Sequence, residues 1–303
     1  MKRYPRLPTF ASVIAVVLFL ASCQTVQKPG WDLPPGVKTL TVNGYPMAYM
    51  ERGTGPTVVL VPGSLNDYRY WTPQLESLSS RFRVVSVSLR HYYPEPWNGV
   101  GEFSFTRHSR DLAAFIERLN VGPVHLVGWS RGGNVAVATT RLRPDLVRKL
   151  VLMDPGLYEL APAPGGAPSG DDPRIARIKA TQAYFKKNDI EGGLQFFFDD
   201  VNGPGTWARL TEDLRRGRRE NAWTLVGQLG DVETYPCADI GSFKMPVLLM
   251  TGERSPRQFG PILDGFQRCQ PSATRVTIPN AAHQMSQMNP SGSDAALIKF
   301  LSE

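Results

Sequence analysis

Short apolar runs alternate with helical patterns along most of the chain, as expected when strands and helices are laid down in turn. Residues 57–61 are apolar except for their first position and end at Pro62-Gly63, which fits a strand buried on both faces. Residues 83–89, 123–127, 149–153, 247–251 and 274–278 read as further strands. Ahead of them, 38–42 and 46–51 flank Asn43-Gly44, a pair that favours a tight hairpin. Between strands the period changes. Leu112, Phe115, Ile116 and Leu119 share one stripe of a helix over 106–119, 131–142 reads as a helix leaving the 123–127 strand, and 294–301 closes the chain as another. No buried-strand pattern occurs between Asp154 and Met245. That stretch opens with a Pro/Gly/Ala loop (161–170) and continues with amphipathic patterns at 175–187 and 210–229, predicting a helical insertion of roughly 90 residues.

The N-terminus has another character. Lys2, Arg3 and Arg6 precede an apolar stretch at 11–21 that is too short for a comfortable membrane span. It ends in Leu20-Ala21-Ser22-Cys23, which resembles the lipobox of bacterial lipoproteins. The resemblance implies a signal peptide at 1–22, Cys23 as the lipid-bearing N-terminus, and a tether at 23–36 rich in Pro, Gly and polar residues. It also implies a membrane partner through that anchor, in a bacterial cell envelope. Gln24 replaces the aspartate that marks inner-membrane retention in that group, which favours the periplasmic face of the outer membrane. The alternative is an ordinary secretory signal followed by a chance cysteine.

Composition adds limits. With 42% hydrophobic residues the chain is ordinary globular material, and loss of Lys2, Arg3 and Arg6 takes the net charge from +7 to +4. The other basic residues are dispersed except for Arg215, Arg216, Arg218 and Arg219, read as a solvated face paired with Asp213 and Glu220. No nucleic-acid partner is expected, and a monomer is. Cys237 and Cys269 either pair in an oxidising compartment or stand as separate buried thiols, the second being slightly favoured. No metal-ligand spacing appears.

Chemistry enters at Ser130, where the run Val124-His125-Leu126-Val127-Gly128-Trp129-Ser130-Arg131-Gly132-Gly133 breaks an apolar strand at a serine framed by glycines. A serine hydroxyl is a poor nucleophile unless the backbone presents it and a base activates it. A strand turning sharply into a helix does the presenting, with Gly128 and Gly132 allowing the close approach. Gly-x-Ser-x-Gly alone is weak evidence. Of the four histidines, His125 lies inside the strand and reads as a core residue. His108 falls on an early helical turn and reads as a surface or cap contact. His91, in the loop after the 83–89 strand, is a possible substrate contact. His283 follows the last strand and precedes the final helix, which makes it the candidate base.

Serine first, histidine last, and a helical insertion between them resemble the α/β-hydrolase superfamily over nearly the whole mature chain, from Asn43 to Leu301. The resemblance implies an α/β fold: a mostly parallel eight-stranded sheet with helices on both faces and a helical cap between strands six and seven. The core would span 37–156 and 245–303, the cap 157–244. It implies no metal and no cofactor. The family's acid usually lies three residues beyond the glycine ending strand seven, but here Gly252 is followed by Glu253, Arg254 and Ser255. Glu253 is favoured as the acid, and Asp154, at the end of strand six, is the other candidate. The oxyanion hole is expected from the Arg131 N–H and the N–H of Ser64 or Leu65, where Pro62-Gly63-Ser64 replaces the family's common His-Gly. Asn66, Tyr68, Trp71, Tyr92, Trp97, Trp129 and Phe196 to Phe198 together suggest a mostly apolar acyl site, with Asn66 and Trp129 as substrate contacts. The function implied is hydrolysis of a small carboxylic ester through an acyl-enzyme. Thioester, lactone or carbon–carbon cleavage and a cofactor-free perhydrolase are variants on the same residues. A non-catalytic envelope binding protein is the reading from another class.

Overall fold

The computed structural model describes Met1 and residues 30–160, 173–231 and 233–303. Residues 2–22 of the signal peptide, Cys23 with the first half of the proposed tether (23–29), and the 161–170 loop lie outside the described residues. Eight strands are present: β1 (Lys38–Val42), β2 (Tyr45–Arg52), β3 (Thr57–Val61), β4 (Arg83–Val87), β5 (Val124–Trp129), β6 (Val147–Met153), β7 (Val247–Gly252) and β8 (Thr274–Ile278). They form one sheet in the order β1-β2-β4-β3-β5-β6-β7-β8. β1 pairs antiparallel with β2, and Val42 faces Tyr45 across Asn43-Gly44, both of which take the positive φ that this hairpin turn needs. β2 meets β4 antiparallel; every later pairing is parallel. Each residue of β3, β5 and β7 is buried, because helices cover both faces, which is why those strands read as continuous apolar runs.

One face is covered by α2 (Phe105–Leu119), α3 (Arg131–Leu142) and α9 (Phe259–Cys269), through Leu112, Phe115, Val135, Ile262 and Phe266. The other carries α1 (Thr72–Ser77), α10 (Met285–Met288) and α11 (Pro290–Ser302), through Leu75, Met285, Leu297 and Leu301. Between β6 and β7 lie α4 (Pro173–Phe185), α5 (Ile190–Asn202), α6 (Glu212–Glu220), α7 (Trp223–Gly227) and α8 (Cys237–Gly241). Ile178, Phe185, Leu194, Phe198, Trp207 and Leu225 build a separate apolar cluster there, joined by Leu65 from the loop after β3. The insertion expected between strands six and seven is therefore a small helical layer seated on the end of the sheet where Ser130 stands.

Three details depart from the sequence reading. The single helix expected over 210–229 is two, because Asn221 between α6 and α7 is tied to the core. Its Nδ2 donates to Asp67 Oδ2 (2.7 Å) and its Oδ1 accepts the Tyr93 N–H (2.8 Å). Arg216 pairs with Asp213 as expected, but Glu220 binds Arg69 and Arg218 turns inward, so the arginine cluster is not one solvated face. The cysteines favoured as separate thiols are joined: Cys237 and Cys269, with Cα atoms 5.0 Å apart, link α8 to the end of α9.

Candidate active site

β5 stops at Trp129 and α3 begins at Arg131, leaving Ser130 alone in the turn at φ +53°, ψ −126°. A non-glycine residue there costs about 1–3 kcal/mol and persists only where its surroundings enforce it. The Ser130 N–H donates to Met153 O (2.9 Å), and the Ser130 carbonyl accepts the Gly133 N–H (2.8 Å). A Cβ on Gly128 would lie 2.5 Å from Gly132 O, and one on Gly132 would lie 2.4 Å from Val61 O. Only glycine lets strand and helix meet this closely, so the pentapeptide builds the corner that exposes the hydroxyl.

His283 Nε2 lies 3.1 Å from Ser130 Oγ, and His283 Nδ1 lies 3.2 Å from Asp154 Oδ2. With the proton on Nδ1, that nitrogen donates to Asp154 and Nε2 accepts from the serine hydroxyl. The imidazole is sandwiched: the Phe259 ring stacks on it at 4.4 Å, Trp129 lies at 5.0 Å, and the Trp129 indole N–H donates to His283 O at 2.7 Å. Tyr70 in turn stacks flat on Trp129.

The expectation that Glu253 is the acid is corrected by this geometry. Backbone bonds from Glu253 N to Ile278 O and from Arg254 N to Ala281 O zip residues 253 and 254 to the segment before His283. Glu253 Oε2 is then occupied by the Asn280 N–H at 2.8 Å, away from the imidazole. Ser255, in the place where the family's acid usually sits, instead donates its hydroxyl to Asp154 Oδ2 (2.5 Å) while accepting the Gly252 N–H (3.0 Å). The residue at the family's usual acid position and Asp154 are thus in contact. Asp154 is fully buried at φ +42°, at the end of β6.

The second oxyanion donor stays between the Ser64 and Leu65 N–H groups of the loop after β3, whose Gly63 lies against Ser130. Asn66 Nδ2 donates to Ser64 O at 2.6 Å, which turns the trans Ser64–Leu65 peptide so that the Leu65 N–H faces the opposite way. The Ser64, Leu65 and Arg131 N–H groups all lack an acceptor among the described residues. The Ser64 hydroxyl donates to Gln228 Oε1 of the cap (2.9 Å). The sequence reading missed what holds Arg131: its buried guanidinium grips Asp231 of the cap through both carboxylate oxygens (2.6 and 2.8 Å) and donates to His108 Nδ1 (3.1 Å). His108 is therefore not a surface residue but fully buried, with its pKa pushed well below the ordinary value by burial and then by Arg131. His125 is packed in β5, as read, and pushed down to about 4, chiefly by burial. His91 bonds Glu95 and stacks on Trp97 (4.6 Å), outside the cleft lining.

The cleft over Ser130 has a volume of about 60 Å³ and is lined by Leu65, Asn66, Trp129, Phe197 and Phe198 among others. Tyr68, Trp71, Tyr92 and Trp97 are core residues instead, and Phe196 stacks on Tyr184. Arg174 and Arg177 also reach the cleft, so it is less apolar than expected. Among the described residues, no group of His, Cys, Asp and Glu is arranged to hold a metal ion.

The alpha/beta hydrolase family model matches residues 58–293. The chain belongs to the alpha/beta hydrolase family. It is 24% identical over 279 residues to the (E)-2-((N-methylformamido)methylene)succinate hydrolase of Acinetobacter baylyi, covering 87% of this chain and 97% of that one. It is 25% identical over 266 residues to the 2-(acetamidomethylene)succinate hydrolase of Mesorhizobium japonicum, covering 83% and 90%. Among solved structures, a thermophilic esterase from Thermogutta terrifontis superposes with a TM-score of 0.69 at 22% identity, over 88% of this chain and 97% of that one. Family membership and named relatives agree that this hydrolase is an enzyme.

Proposed function

We propose that the protein is a serine hydrolase that cleaves a small carboxylic ester or related acyl substrate through an acyl-enzyme. One observation carries the reading: a strained serine, a sandwiched imidazole and a buried carboxylate stand in line, at 3.1 and 3.2 Å. Ser130 Oγ attacks the acyl carbon as its proton passes to His283 Nε2, and Asp154 holds the Nδ1–H side of the imidazolium that forms. The negative charge on the former carbonyl oxygen is met by the Arg131 N–H, at the positive end of α3, and by the N–H of Ser64 or Leu65 in the loop after β3. As the tetrahedral species collapses, the leaving group takes the proton back from His283. Water, deprotonated by the same nitrogen, then releases the acid and restores Ser130. Asn66 and Trp129 act through the Leu65 peptide and the base, Ser255 through Asp154.

The two relatives named above are hydrolases of substituted methylenesuccinates, which supports a substrate carrying carboxylates beside its scissile group. Cys23 is proposed as a lipid anchor that holds the domain at the periplasmic face of an outer membrane, supported by Leu20-Ala21-Ser22-Cys23 behind a basic start. Hydrolysis of p-nitrophenyl acetate and butyrate tests the enzymatic reading. Ser130→Ala should lose about 10³-fold or more in kcat with its fold intact, and a variant that keeps its rate would overturn it.

A further inference from the structure

Arg218 lies in α6 of the cap at 6% exposure. A guanidinium taken out of water needs an anion or a full set of acceptors to replace its hydration. Arg218 has neither. Nη1 donates to Leu65 O at 3.4 Å, a long bond; Nε is buried without an acceptor; and Nη2 finds none among the described residues. The nearby carboxylates are committed elsewhere. Asp67 is bound by Arg69 through both oxygens and by Asn221, Glu220 pairs with Arg69, and Asp213 pairs with Arg216. Burial accordingly pushes the Arg218 pKa down to about 10, which leaves it charged at neutral pH.

A cavity of about 330 Å³ opens beside this side chain, and Arg69, Tyr70, Arg216, Gln284 and Gln287 also line it. Asn66 and Gln284 line both this cavity and the cleft over Ser130. The ring of Phe198, which lines the cleft, lies 6.0 Å from the guanidinium. Arg218 therefore stands in the wall between a cleft of about 60 Å³ and its larger neighbour.

We propose that the Arg218 cavity is an anionic subsite of the active site, which takes a carboxylate carried by the acyl substrate. The inference rests on the serine-hydrolase reading and assigns the residue and cavity that receive the charged group of its substrate. The carboxylate supplies the counter-charge that α6 and the loop after β3 lack and accepts from Nη2, with the Gln284 amide available as a further donor, while the Gln287 amide is held by Tyr70 O. The scissile carbonyl stays at Ser130, so the acyl chain passes Asn66 and Gln284.

The test is a ratio of kcat/KM values: p-nitrophenyl hemisuccinate, hemiglutarate and hemiadipate, each against the neutral alkanoyl ester of equal length. Because both esters use the same serine and oxyanion donors, the ratio cancels whatever an Arg218 variant does to the Leu65 loop. The wild type should favour the best-fitting charged ester by about tenfold or more, as expected of a charge-assisted hydrogen bond. Arg218→Met should bring the ratio near one, and Arg218→Lys should restore part of it. Neutral-ester turnover with no preference for the charged ester, or a preference that survives in Arg218→Met, overturns the subsite and leaves the hydrolase reading standing. If neither ester is turned over, the hydrolase reading fails instead. Glutarate supplies a readout on the wild type alone, by raising Tm and competing with the neutral ester. Glutarate that raises Tm without competing lies apart from the substrate and overturns the proposal.

Discussion

Asp154 owes its place at the site to Ser255 and to a backbone turned to φ +42°, with its N–H donating to Met250 O. Similar support surrounds Arg131, whose side chain rests on neutral His108. That imidazole resists protonation because it is buried and faces the Arg131 charge, with Arg90 and His91 adding smaller repulsions. The unfolded chain takes up a proton at this residue near pH 6.5 and the folded chain does not, so unfolding binds a proton and stability falls as the pH drops below about 6.5. Urea midpoints should be lower at about pH 5.5 than at about pH 7.5, and His108→Gln, which keeps an acceptor for Arg131 without titrating, should flatten part of that slope. An unchanged slope would contradict the assignment. Ser130 and His283 were legible because their neighbours in sequence make the elbow and the terminal loop. Asp154 was not separable from Glu253, since the deciding bonds join residue 253 to residues 278 and 280 and residue 255 to residue 154.

At the scale of elements, strands buried on both faces were readable as unbroken apolar runs, whereas α5 was not. Its core positions, Leu194, Phe197 and Phe198, share a short segment with Ile190, Phe196 and Val201, so apolar residues are not confined to one stripe, and Gly192-Gly193 weaken the helical signal. The break at Asn221 depends on Asp67 and Tyr93, more than a hundred residues away, and leaves no local signal. Pairing of Cys237 with Cys269 was likewise a question of distance, settled when α8 packs beside α9. Closing a loop over a separation of 32 residues removes unfolded-state freedom worth about 3–4 kcal/mol. The Cys237→Ser, Cys269→Ser double variant should lose about that much in urea or thermal unfolding. Dithiothreitol should act the same way on the native protein, and indifference to reduction would count against the bridge.

For the whole molecule, the cap is fastened at two residues of the site, Asp231 to Arg131 and Gln228 to Ser64, and beside it, Asn221 to Asp67. The serine corner, the loop after β3 and the helical layer over them are thereby one construction. The proposed anchor places that construction at a membrane surface. Cys23→Ala should move the protein from the membrane fraction to the soluble envelope fraction, and unchanged fractionation would remove Cys23 as the anchor. The central claim is that Ser130 is a nucleophile activated by His283 and Asp154. Its most direct test is fluorophosphonate labelling followed by intact and peptide mass. The account predicts one adduct per folded chain, on Ser130, formed far more slowly in Asp154→Asn and at the native rate in Glu253→Gln. No adduct on folded protein, an adduct on another serine, or slowing by Glu253→Gln alone would contradict it.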